Sequence, residues 1–169
     1  MLETMDVNGV MVYRVVALEK ASGIKKGDTL PIPHERLDYD GNKDKKDTED
    51  LFEELRKEFY PHLPSRKSVL FVLPYDLERV EDWLSLHNPH NDYDYALLTL
   101  CLSGSLFWCD EDKFTTAGAR NHLRVPFAND YWRSASDSYD SFETAEGLFR
   151  GIATVMDIEI RHYISQHRI

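Results

Sequence analysis

With 169 residues, a 42% apolar fraction and three Trp, nine Tyr and eight Phe, the chain can bury roughly two thirds of its unfolded surface and fold as one domain. Thirty acidic against twenty basic side chains leave a net charge of −10, which excludes adhesion to nucleic acid or anionic lipid through a basic surface. Cys101 and Cys109 are too few for a metal cluster, no run approaches the roughly 20 apolar residues of a membrane span, and no apolar leader opens the chain; a cytoplasmic protein with reduced thiols is expected.

Val10 to Leu18, VMVYRVVAL, reads as the first strand, with Arg14 interrupting an otherwise buried run. An arginine there pairs with a carboxylate, faces out at an edge, or holds phosphate or ribose oxygens. Residues 21 to 30 read as a turn and a short extended piece, and Pro31 to Lys46 as a polar, mobile loop. Asp47 or Thr48 is expected to cap a helix whose Leu51, Phe52, Leu55 and Phe59 form one apolar stripe, ended by Pro61.

The polar edge Ser65 to Ser68 leads into Val69 to Leu73, the most continuous apolar run, which predicts a strand buried on both faces. Asp76 then caps a helix carrying Leu77, Val80, Trp83 and Leu84 on one stripe. Such an edge holds ligand-facing groups on a rigid frame, or is a solvated strand entrance and nothing more. His87, His90 and Asp92 sit in one Pro-interrupted loop that fixes no metal geometry, so no metal is expected.

Tyr93 to Phe107 alternates and turns at Ser103-Gly104, predicting a strand with a hairpin or a bent second half. Lys113 to Arg124 shows no clear period. Pro126 can open a short helix anchored by Tyr131 and Trp132. Asp137 to Glu146 carries four carboxylates and no basic residue, then gives way to the β-rich GLFRGIATVMDIEI.

An Arg on an early strand, Ser65-Arg66-Ser68 before a central strand and helix, and Glu146 ahead of a late strand stand in an informative order. The pieces VYRV, EFYPHLPSRKSVLFV and EGLFRGIATV resemble the three-part signature of the ADP-ribosyltransferase-like superfamily, and within it a group of small bacterial and phage proteins. The resemblance implies a single domain over residues 1–169, of α+β class with two small split β-sheets and flanking helices, and NAD as substrate. It implies Glu146 and Arg14 as catalytic residues, with Ser65 or Ser68, Arg66 and Tyr75 against the dinucleotide. Thr144 stands where an arginine-directed transferase carries Glu or Gln, which leaves the acceptor open.

The chemistry fits those residue types. Cleaving the nicotinamide–ribose bond passes through an oxocarbenium-like cation, which a carboxylate such as Glu146 stabilises. Arg14 would hold a ribose or phosphate oxygen, and Arg66 the pyrophosphate as a bidentate donor. Ser65 or Ser68 would bond the ribose, while Tyr75 or Tyr131 would stack on nicotinamide.

The function expected is the first of two, and the second is its rival. One is NAD-dependent ADP-ribosyl transfer to a macromolecular target, or NAD cleavage. The other is a non-enzymatic acidic binding protein, a phage-encoded inhibitor of a nucleic-acid-handling host protein being one such case. Tight, saturable NAD binding favours the first, and an acidic patch covering the cleft mouth with Glu146 buried in a salt bridge favours the second.

Overall fold

The computed structural model describes residues 6–35 and 41–166. The order is β1 (Asp6–Ala17), α1 (Leu18–Ala21), α2 (Lys43–Phe59), β2 (Leu70–Val72), α3 (Leu77–His87), β3 (Tyr93–Asp110), α4 (Glu111–Ala119), α5 (Arg124–Arg133) and β4 (Ala145–Tyr163). The class is α+β, with one four-stranded antiparallel sheet in the order β1-β3-β4-β2 among the described residues. This corrects the two split sheets expected from the sequence.

The physical reason lies in β3 and β4, which pair from Tyr93 opposite Tyr163 to Asp110 opposite Ala145, with one register shift between Thr99 and Leu100. Ser103-Gly104 does not end β3 in a hairpin. Gly104 faces Gly151 across the ladder, with φ of +151° and +143°, and a Cβ on Gly104 would lie 2.8 Å from the Gly151 Cα. Two facing residues without side chains let the ribbons approach closely and bend there, so one ladder spans what sequence periodicity divides. The curl brings the far edges together. Tyr13 and Leu73 exchange two backbone hydrogen bonds, Tyr13 N–H to Leu73 O at 3.0 Å and Leu73 N–H to Tyr13 O at 2.7 Å.

The alternation of the strands builds two apolar faces. Val12, Val72, Leu98, Leu100, Leu102, Leu106, Trp108 and Phe149 form one core. Phe107, Cys109 and Leu148 face the other way, against Phe52 of α2, Phe114 of α4 and Tyr131 and Trp132 of α5. A third cluster seats Val80 and Leu84 of α3 on Leu73, Tyr95 and Leu97.

Local signals succeed where a cap is explicit. Asp76 accepts the Glu78 N–H at 2.9 Å and starts α3 where expected. Helix α2 begins earlier than Asp47, because Asn42 accepts the Lys45 N–H at 3.0 Å and caps it. Residues 43 to 46 of the expected mobile loop are therefore helical, while residues 36–40 of that loop lie outside the described residues. The stretch without a clear period holds α4, capped by Asp110, whose side chain accepts the Asp112 N–H at 3.2 Å. No helix among the described residues is long and apolar enough to cross a membrane.

Candidate functional site

Glu146 enters β4 opposite Cys109, on the face covered by α2, α4 and α5, and is only 4% exposed. Arg66 reaches it from a single 3₁₀ turn, Arg66–Ser68, and is 5% exposed. Arg66 Nη1 donates to Glu146 Oε1 and, at 2.5 Å, to the Tyr131 hydroxyl, which itself donates to Glu146 Oε1 at 2.5 Å. Arg66 Nε donates to Glu49 Oε2 of α2 at 3.1 Å. The guanidinium lies 3.7 Å from the Phe114 ring centroid and 4.8 Å from that of Phe71. A buried guanidinium is thus stacked and paired, the arrangement its planar, weakly hydrated group tolerates.

Electrostatics here is set by burial. Glu146 is raised from its ordinary 4.5 to about 8, first by burial; Arg66 pulls against that shift, and the neighbouring Glu111 adds to it. Burial opposes the charge on Arg66, but Glu146 and Glu49 outweigh it and hold its pKa well above the ordinary value. Burial also pushes Tyr131 well up. His87, at the end of α3, touches Glu111 Oε1 at 3.0 Å and is lowered, mainly by burial. No group of three or more His, Cys, Asp or Glu side chains among the described residues is placed to hold a metal ion.

The six residues singled out in the sequence occupy four places. Arg66 and Glu146 meet in the interior. Arg14 lies opposite Leu98 and shares its face with Val12 and Val16, the face that also carries Leu106 and Trp108, so Arg14 and Glu146 are on opposite faces of the sheet. Its Nη1 donates to the Phe71 carbonyl at 2.6 Å, tying β1 to β2. Ser65 caps the 3₁₀ turn and donates to Glu53 Oε2 at 2.6 Å. With Ser68 it opens on a surface hollow of about 220 Å³ that also meets Lys57 and Lys67. Tyr75 is 53% exposed and leans on Tyr13, ring centroids 4.7 Å apart. It lines a separate cleft of about 360 Å³ with Trp108 and Tyr139.

Glu49 and Glu111 were not visible as partners in the sequence. Glu49 did leave a signal: it stands three residues before Phe52 on the stripe that α2 buries, where an acid needs a counter-charge. Glu111 left none, since only the tertiary fold brings α4 to Glu146.

A comparison with curated proteins finds no match. A family match covers residues 34–162, well over half of the chain and including β2, β3 and most of β4. The chain belongs to the family described as "Protein of unknown function (DUF2441)".

Proposed function

We propose that this chain is a non-enzymatic binding protein that engages a basic surface of another protein. One observation carries the reading. Glu146, the carboxylate that NAD cleavage would require against the ribose, is buried against Arg66 and Tyr131 on the face of the sheet opposite Arg14. Burial raises this carboxyl, and its Oε1 is already taken up by Arg66 and Tyr131, which leaves little of its charge for an oxocarbenium ion. The net charge of −10 supplies long-range attraction to a cationic partner, with the strong salt dependence such attraction has.

ADP-ribosyl transfer is the second reading, favoured by the meeting of Arg66 and Glu146 from two segments of the resembling signature. Parallel calorimetric titrations separate the two. With NAD, no saturable heat is expected; with a polylysine of defined length, saturable and salt-sensitive binding is expected. Saturable NAD binding lost in Glu146→Gln, together with release of nicotinamide by the wild type, would reverse the choice.

A further inference from the structure

The cleft of about 360 Å³ lies between β1 and the loop 137–140. Its walls combine three aromatic rings, Tyr75, Trp108 and Tyr139, with two carboxylates, Asp137 and Asp140, and no basic side chain lines it among the described residues. Trp108 is almost wholly buried, and its ring meets Tyr139 edge to face at 5.2 Å, so the indole is a fixed wall. Tyr75, braced on Tyr13, stands at the exposed rim. The loop is also held, because Arg79 Nη1 donates to the Tyr139 carbonyl at 3.3 Å and to the Phe142 carbonyl. Arg79 lies 5.2 Å from the Tyr139 ring centroid, so this ring already takes a guanidinium on one of its faces.

We propose that this cleft receives one arginine side chain of the basic partner. The inference rests on the binding reading above and adds its point of contact. A guanidinium is planar and weakly hydrated, stacks on aromatic rings and pairs with carboxylates in a fixed fork, which are the two kinds of group that this cleft presents together. An ammonium matches the carboxylates alone and lacks the stacking plane. Charge complementarity selects the occupant: an acidic cleft on a chain of net charge −10 disfavours anions and phosphates, while the apolar walls exclude a fully hydrated metal ion.

The test uses the full chain and short peptides followed by NMR, reading the Trp108 indole and the amides of 137–140. A blocked Gly-Arg-Gly peptide should shift these signals saturably. Its citrulline counterpart, equal in shape but uncharged, and its lysine counterpart should each bind at least about tenfold more weakly. Asp137→Asn/Asp140→Asn and, separately, Tyr75→Ala should each weaken the arginine peptide by about tenfold with the melting temperature unchanged, since Asp137, Asp140 and Tyr75 are exposed. Equal binding of the citrulline or lysine peptide, or shifts confined to other faces, overturns the assignment. If polyarginine binds wild type and Asp137→Asn/Asp140→Asn alike, the cleft assignment fails and the binding reading stands. If polylysine does not bind at all, the binding reading itself fails.

Discussion

Arg66 and Glu146, 80 residues apart in the chain, meet in the interior with the Tyr131 hydroxyl 2.5 Å from both Arg66 Nη1 and Glu146 Oε1. Removing the cation leaves Glu49 buried without its counter-charge and takes a hydrogen-bond donor from Glu146. Arg66→Ala is therefore expected to destabilise by about 3–5 kcal/mol, whereas Glu146→Gln keeps the shape of a protonated glutamate and costs far less. Urea denaturation of both variants at neutral pH checks the ranking, and equal midpoints for the two would contradict it.

The raised pKa of Glu146 has a definite sign in stability. The folded chain holds this proton to about pH 8, while the unfolded chain releases it above the ordinary 4.5. The contribution is thus fully present below 4.5, declines as pH rises, and is lost once pH passes 8. The groups facing it are Arg66 from the 3₁₀ turn, Glu111 from α4 and Tyr131 from α5; Arg66 by attraction and Tyr131 by its hydrogen bond favour loss of the proton, while burial and Glu111 oppose it and prevail. Denaturation midpoints should fall across this window in the wild type and change less in Glu146→Gln.

Gly104 and Gly151 face each other with positive φ, and an added Cβ at either would press on the facing backbone. Gly151→Ala is expected to cost about 2 kcal/mol or more, through strain and through forcing the two long strands apart at their bend. Gly23→Ala, where a Cβ meets nothing within 4 Å, is the control and should change stability by less than about 0.5 kcal/mol.

Cys109 is fully buried and its thiol is pushed up by burial, whereas Cys101 is half-buried. A thiolate-directed alkylating reagent should therefore label Cys101 first and reach Cys109 only when the chain unfolds. Mass spectrometry after a short exposure to iodoacetamide reads this directly, and early labelling at Cys109 would mean that the covering helices open.

Much of the local structure was legible because local chemistry dictates it. Asp76 announces α3, and Tyr131 and Trp132 announce the buried side of α5. Helix α4 was hidden, since EDKFTTAGA has only Phe114 as a large apolar side chain and takes its seat from Phe52 and Trp132 across the interior. Arg66 illustrates the difficulty at the site. A basic residue in a polar edge reads as solvated or ligand-facing, and nothing nearby in the chain tells that Glu49, Tyr131 and Glu146 converge on it.

The sequence by itself determined the strand-forming runs of β1, β3 and β4, the acidic character and the capped start of α3, because these follow from side-chain period, composition and a cap within a few residues. Only the tertiary structure decided that the strands among the described residues form one sheet and that Arg14 and Glu146 face opposite ways. The same is true of the gathering of Tyr75, Trp108, Asp137 and Asp140 around one cleft. Those facts depend on strand register and on the bend at Gly104 and Gly151, and a one-residue shift in register turns every side chain to the other face.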